Sequence, residues 1–209
     1  MNRLVFGLGS IHHVTKECGF DLLNTAYDNG IRFFDTADLY GNGYANALLN
    51  EWLVRFKRFD IIIIAKSGLC YSNLLRCKFR IYFFIITLLY KVKILKIKET
   101  HLVHSLFDNR VKIIRLWHER NALIDNNEFN GYAGYNLPSF VNNKFLFLQG
   151  FVEDKNSYKY DCVFGLMKSV NFNLDDFAEY YHENITQKIL FSSTNTQHLI
   201  SLIKAVKVY

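Results

Sequence analysis

Four side chains that could take part in proton transfer to a carbonyl stand at or just beyond the ends of short apolar runs. They are Asp35, Tyr40, Lys66 and His104. Short runs rich in Ile, Val and Phe are typical of buried strands. The carboxyl ends of parallel strands line the mouth of an α/β barrel, where such barrels hold their active sites. An acid, a phenol, an amine and an imidazole at one mouth would form a proton-donating site.

The segment that contains Asp35 and Tyr40 resembles a known family. Residues 30–41, with the sequence GIRFFDTADLYG, resemble the second-strand signature of the aldo-keto reductase family. The sequence AKSG at 65–68 resembles the family's third-strand lysine, and LVH at 102–104 resembles its fourth-strand histidine.

The resemblance implies an α/β fold of the (β/α)8 TIM-barrel type. It is close over residues 3–69, partial over 94–137, lost over 138–185 and present again at 187–206. Such barrels commonly have about 250 residues, with ~200 as the lower limit. We therefore expect one domain over residues 1–209 that is a trimmed barrel, or a barrel with a degenerate unit.

The resemblance also implies reduction of an aldehyde or ketone, with Tyr40 as the proton donor. A free tyrosine has a pKa near ~10, and we expect the Lys66 ammonium to lower it. Asp35 would pair with Lys66, and His104 would orient the carbonyl oxygen of the substrate. A nicotinamide cofactor would supply the hydride.

Residues 191–199, with the sequence FSSTNTQHL, resemble the family's cofactor loop after the last strand. The cofactor-binding residues that the resemblance implies are Asn136, Gln149, Ser192, Ser193, Thr194, Asn195 and His198. A helix start offers free backbone N–H groups and a positive dipole end, which suit phosphates. His198 stands where relatives often carry an arginine for the 2′-phosphate. We therefore expect NADPH as cofactor, with NADH also accepted.

Each of these residues also has a simpler interpretation. A loop tyrosine usually packs, a lysine after a strand is usually solvated, and a histidine in an apolar run usually belongs to the core. The segment 192–198 could be a plain helix cap. The ordered set of four residues favours an enzyme. The alternative is a non-catalytic cofactor-binding or scaffolding relative, which Leu137 favours because it replaces a usual polar partner.

Composition limits the other classes of function. The net charge is +6, and basic residues crowd between Lys78 and Lys98. We interpret this stretch as a solvated helix face rather than a nucleic-acid or acidic-membrane patch. The apolar run at 81–90 is about half a membrane span and is predicted to be buried. The expected partner is a small carbonyl substrate, with no nucleic acid or membrane, and the oligomeric state stays open.

Cysteine usage predicts a cytoplasmic protein with reduced thiols. The four cysteines lie at positions 18, 70, 77 and 162, and none is in a CxxC pair. A zinc site is therefore not expected.

Apolar patterning predicts alternating strands and helices, which is typical of parallel βαβ units. Strands are predicted at 4–6, 31–35, 61–65, 101–106, 131–135, 145–149, 161–165 and 188–192. Helices are predicted at 18–29, 44–56, 79–95, 111–123, 174–182 and 196–206.

Overall fold

The computed structural model describes nine stretches of the chain. They are residues 3–70, 80–94, 98–100, 107–118, 129–134, 145–149, 161–164, 173–183 and 187–207. The strands are β1 (Leu4–Gly7), β2 (Phe33–Ala37), β3 (Ile62–Cys70), β4 (Lys98–Thr100), β5 (Lys112–His118), β6 (Gly131–Gly134), β7 (Phe145–Gln149), β8 (Cys162–Phe164) and β9 (Lys188–Phe191). The helices are α1 (Lys16–Asp28), α2 (Tyr44–Phe56), α3 (Arg80–Lys91), α4 (Leu174–Glu183) and α5 (Thr196–Ala205).

The strands pair as a parallel barrel sheet. The order runs from β1 through β2, β3, β5, β6, β7, β8 and β9, and β9 pairs with β1 again. The short strand β4 is antiparallel to β3 and stands outside this order. The arrangement is an α/β fold of the TIM-barrel type, as predicted.

Side-chain alternation along the strands separates two apolar layers. Phe33 and Ile64 belong to a cluster inside the sheet, whereas Phe34 and Ile63 belong to the cluster between strands and helices. Successive residues of a strand point to opposite faces. Because Asp35 lies two residues after Phe33, and Lys66 two residues after Ile64, both continue the inner face at the carboxyl ends of their strands.

Helix α1 shows how the sequence sets the length of an element. The Thr15 hydroxyl accepts a hydrogen bond from the Cys18 backbone N–H and caps the helix start. Gly30 has φ of 89°, a left-handed conformation that glycine adopts without strain. The helix ends at Asp28 with Asn29 as its C-cap, which confirms the predicted end of this helix at residue 29 within one position.

The prediction of a helix at 111–123 was wrong. The structure has strand β5 at Lys112–His118, and β5 is the parallel neighbour of β3 in the barrel. Periodicity alone does not distinguish a short buried strand from a buried helix. The strand predicted at 101–106 lies outside the described residues.

The prediction that residues 81–90 are buried was also wrong in part. They lie in helix α3, where Ile86 is buried but Ile85 and Leu88 are exposed. Among the helices that the structure describes, none combines the length and hydropathy needed to cross a bilayer.

Candidate active site

Two neighbouring strands carry the charged pair of the site. Asp35 of β2 is in register with Ile64 of β3, and Ala37 is in register with Lys66. The two side chains therefore reach the same end of the barrel from adjacent strands, as predicted. Asp35 is 0% exposed and Lys66 is 3% exposed.

A tight turn brings Tyr40 back over these strand ends. The residues Tyr40–Gly43 form a 3-10 helix in which Gly41 has φ of 59° and Gly43 has φ of 94°. A Cβ on Gly41 would lie 2.9 Å from the Tyr44 Cβ and 3.1 Å from the His12 Cβ, which is closer than packed atoms approach. Glycine at position 41 is therefore required both by the backbone conformation and by the space around it.

The three side chains form a closed set of contacts. The Lys66 Nζ donates to the Tyr40 hydroxyl oxygen at 2.8 Å and to the Asp35 Oδ2 at 2.8 Å. It also lies 2.8 Å from the Asp35 Oδ1. The Tyr40 hydroxyl lies 3.3 Å from the Asp35 Oδ2. Because a buried ammonium needs a partner, Asp35 explains how Lys66 can remain charged beside the phenol.

Burial dominates the acidity of the phenol. Loss of solvent and the nearby Asp35 carboxylate raise the pKa of Tyr40 to about 12, although Lys66 opposes both effects. Burial also raises the pKa of Asp35, against the effect of Lys66. For Lys66 itself, burial would lower the pKa, but Asp35 and Tyr40 outweigh burial and raise it. Lys66 therefore lowers the pKa of Tyr40 as expected, but burial and Asp35 outweigh it and the net shift is upward.

A second polar network, not predicted from the sequence, supports the first. The Thr36 hydroxyl donates to the Asn46 Oδ1 at 2.6 Å, and the Asn46 Nδ2 donates to the Asp38 Oδ1 at 3.1 Å. The Ser67 hydroxyl donates to the Asp38 Oδ2 at 3.2 Å, and the Asp38 backbone N–H donates to the Lys66 carbonyl at 3.1 Å. This network ties helix α2 and the Tyr40 turn to the strand that carries Lys66.

The predicted histidine, His104, lies outside the described residues. The structure instead ends strand β5 with His118, at the same end of the barrel as Lys66. Trp117 is in register with Ser67 of β3, and His118 is in register with Ala133 of β6. The sequence contained a signal for His118, because this residue ends an apolar run just as His104 does. The prediction of a helix at 111–123 concealed that signal.

The loop after β9 forms a helix cap. The Asn195 Oδ1 accepts from the backbone N–H groups of Gln197 and His198, at 2.8 and 3.2 Å. The Ser193 hydroxyl accepts from the Asn195 N–H at 3.0 Å. Asn195 therefore caps α5, and the role of these residues in cofactor binding stays a prediction.

The other predicted cofactor residues are placed in part. Ser192, Thr194 and His198 are exposed around the start of α5. Gln149 ends β7 in register with Phe164 of β8, and Asn136 lies outside the described residues. Among the described residues, no group of His, Cys, Asp and Glu is arranged to hold a metal ion.

Sequence comparison finds relatives for the first third of the chain. Residues 3–79 match the model of the aldo/keto reductase family. An aryl-alcohol dehydrogenase of Pestalotiopsis microspora is 35% identical over 57 residues, which are 27% of this chain and 15% of that protein. A Saccharomyces cerevisiae protein, named provisionally as an aryl-alcohol dehydrogenase, is 43% identical over 58 residues, which are 28% of this chain and 26% of that protein. The matched residues therefore span only 15% and 26% of the lengths of these two curated relatives.

Structural comparison extends over nearly the whole chain. An aldo-keto reductase from Bacillus halodurans, solved in its holo form, aligns with a TM-score of 0.63 and 14% identity. The alignment covers 98% of this chain and 86% of that one. At this identity the likeness establishes the fold only. Residues 3–79 are thus similar in sequence to the aldo/keto reductase family, and the barrel has the fold of solved aldo-keto reductases.

Proposed function

We propose that the protein reduces an aldehyde or ketone to an alcohol, with NADPH or NADH as the cofactor. The observation that supports this most directly is the position of the Lys66 ammonium, 2.8 Å from both the Tyr40 hydroxyl and the Asp35 carboxylate. A phenol with an ammonium beside it can lose its proton because the resulting phenolate is stabilised by the positive charge.

Tyr40 is the proposed acid. Its pKa of about 12 keeps the phenol protonated at neutral pH, so the proton is available for transfer. When bound, the reduced nicotinamide would supply a hydride to the carbonyl carbon. Tyr40 would give its proton to the carbonyl oxygen, Lys66 would stabilise the phenolate, and a proton from solvent would restore the phenol.

His118 is the proposed residue that orients the carbonyl. It ends the strand next to β3, so a substrate above Tyr40 and Lys66 would lie between these two strand ends. An imidazole N–H aimed at the carbonyl oxygen would stabilise the charge that develops there. His104, which the sequence suggested for this role, remains an alternative until both are tested.

The residues after β9 fit the phosphate groups of a dinucleotide. The hydroxyl of Ser193 and the start of helix α5 lie at the carboxyl end of β9, beside β1. Helix starts attract anions, and small polar side chains allow a phosphate to approach the backbone. We infer that Ser192, Ser193, Thr194, Asn195 and His198 hold the adenosine phosphates, while Asn136 and Gln149 hold the nicotinamide amide. We also infer one trimmed barrel domain over residues 1–209.

Oxidation of NADPH or NADH in the presence of a carbonyl panel tests this function. Aromatic aldehydes come first in the panel because the curated relatives carry the name aryl-alcohol dehydrogenase. We expect turnover that Tyr40→Phe abolishes, while quenching of tryptophan fluorescence still reports cofactor binding. Tyr27→Phe, which removes a hydroxyl contact with Asp60 on an exposed face, is the matched control. Cofactor binding without turnover of any carbonyl would contradict the proposal.

A further inference from the structure

Helix α3 and the turn after it carry the main exposed apolar surface of the described chain. Eight large hydrophobic side chains are exposed among all the described residues, and six of them lie between residues 84 and 94. Ile85 is 50% exposed, Leu88 61%, Val92 56% and Ile94 69%. We name these four residues the α3 face. Contiguous exposed apolar patches mark interaction sites more often than isolated apolar residues do.

The α3 face is held in a fixed orientation. Ile86, on the other side of the helix, is 1% exposed and belongs to the apolar layer of the barrel. The helix ends in a Schellman turn, with Lys93 at φ of 62°. The Ile94 N–H donates to the Leu89 carbonyl at 2.9 Å, and the Lys93 N–H donates to the Tyr90 carbonyl at 3.0 Å. Val92 and Ile94 therefore extend the exposed surface of the helix at defined positions.

The chain on either side of the α3 face is basic in sequence. Residues 67–98 contain seven Lys or Arg and no Asp or Glu. Lys91 and Lys93 are both exposed, between and beside the apolar residues of the face. Leu88 and Lys91 are three positions apart, so they are neighbours on the helix surface. An occupant of this surface must therefore offer apolar contact and negative charge together.

We propose that the α3 face docks the protein on an anionic lipid bilayer surface. An interfacial helix combines bulky apolar side chains, which enter the boundary of the acyl chains, with lysines that contact anionic headgroups. A second copy of the chain would bring lysines of the same sign together. A nucleic acid would satisfy the lysines but would leave Ile85, Leu88, Val92 and Ile94 without apolar contact. This proposal replaces the sequence-based expectation of no membrane partner.

Co-sedimentation with vesicles tests the proposal on the full chain. One set of vesicles contains phosphatidylcholine alone, and the other contains phosphatidylcholine and phosphatidylserine in equal parts. We expect binding to the second set that weakens with added salt. Replacement of Lys91 and Lys93 by Glu should lower binding about twenty-fold or more, since each basic residue near an anionic surface contributes about fivefold. Leu88→Asp should also weaken binding to those vesicles.

Helix α2 supplies matched controls. Val54 is 52% exposed on that helix, and Lys57 ends it in the same left-handed conformation, with φ of 54°, that Lys93 has after α3. Val54→Asp and Lys57→Glu should leave vesicle binding unchanged. Thermal unfolding followed by circular dichroism checks that every variant is folded.

Three outcomes would overturn the proposal. One is no binding to the phosphatidylserine vesicles, and the second is binding that Leu88→Asp and the lysine variant do not alter. The third is self-association, seen by analytical ultracentrifugation, that Leu88→Asp abolishes, because it would assign the face to a second copy of the chain. Carbonyl reduction without vesicles is measured separately, so failure of docking is distinguishable from failure of the reductase proposal.

Discussion

The Lys66 ammonium lies 2.8 Å from the Tyr40 hydroxyl oxygen. The same nitrogen lies 4.3 Å from the centre of the Phe147 ring, which belongs to the apolar cluster inside the barrel. The cation thus stands at the boundary between the apolar barrel interior and the polar site. In this position the Asp35 carboxylate is the group that balances its charge.

Replacement of Asp35 by Ala should destabilise the protein by about 3–5 kcal/mol, because it leaves a buried ammonium without its carboxylate. Urea unfolding of the two proteins measures the difference in the free energy of unfolding. Carbonyl reduction should fall as well, since Lys66 loses the group that holds it beside Tyr40.

A double variant separates the loss of the carboxylate from the loss of packing. Asp35→Leu combined with Lys66→Met removes both charges and keeps most of the volume, so stability should recover in large part. Activity should not recover. A double variant as unstable as Asp35→Ala would show that packing, rather than the unpaired charge, causes the loss.

The stability of the protein should depend on Tyr40 at alkaline pH. The folded pKa of about 12 is above the free value near ~10, so the folded state holds this proton more tightly than the unfolded state. The contribution is therefore complete below pH ~10 and is lost as the pH rises through about 12. Unfolding measured across this window should show a steeper loss for the native sequence than for Tyr40→Phe. Equal slopes would contradict the raised pKa.

The stability of the protein should survive an exchange of the Asp38 carboxylate and the Asn46 amide, which are hydrogen-bonded in the second network. Asn46→Asp alone places two carboxylates where the Asn46 Nδ2 and Asp38 Oδ1 are now 3.1 Å apart. We expect a loss of about 1–3 kcal/mol at neutral pH, and a smaller loss in acid, where one carboxylate takes up a proton. Adding Asp38→Asn restores one carboxylate and one amide, and should restore stability. Failure of the double variant to recover would show that Asp38 needs its charge at its own position.

The preference for NADPH over NADH should be modest and should increase in His198→Arg. An arginine carries a permanent charge and binds a phosphate through two parallel N–H donors, a geometry that an imidazole does not offer. The ratio of kcat/KM for the two cofactors measures the effect, and we expect a gain of about tenfold. Gln197→Arg, an exposed neighbour, is the control. A large native preference that His198→Ala leaves unchanged would show that another group binds the 2′-phosphate.

Local sequence signals predicted the elements whose patterns are unambiguous. Helix α2 and strand β7 have the predicted bounds, because α2 shows a clear helical repeat and β7 is a short apolar run. Asp35 and Lys66 were predicted to lie together because each follows such a run, and parallel strands bring their ends to one edge. The bounds of these elements needed no information beyond residue type and spacing, whereas the pairing of Asp35 with Lys66 was implied by the family resemblance.

The errors have physical causes that single residues do not reveal. The acidity of Tyr40 depends on how completely the folded chain removes water from the phenol, which sequence spacing does not express. The network of Thr36, Asn46, Asp38 and Ser67 joins residues from different elements through contacts that appear only after folding. The assignment of 111–123 to a helix also hid the histidine that ends β5.

The last prediction distinguishes the two histidines. Because side chains alternate along a strand, position 118 lies on the same face of β5 as Leu116, which belongs to the cluster inside the barrel. If His118 orients the carbonyl oxygen, His118→Gln should lower kcat/KM by about 10²-fold or more, the typical cost of losing one donor to a developing oxyanion. Cofactor binding should be unchanged, because the imidazole would contact the substrate. His104→Gln should retain nearly full activity and serves as the control. The opposite pattern, with the loss confined to His104→Gln, would assign the orienting role to His104 and leave His118 as a residue of the barrel wall.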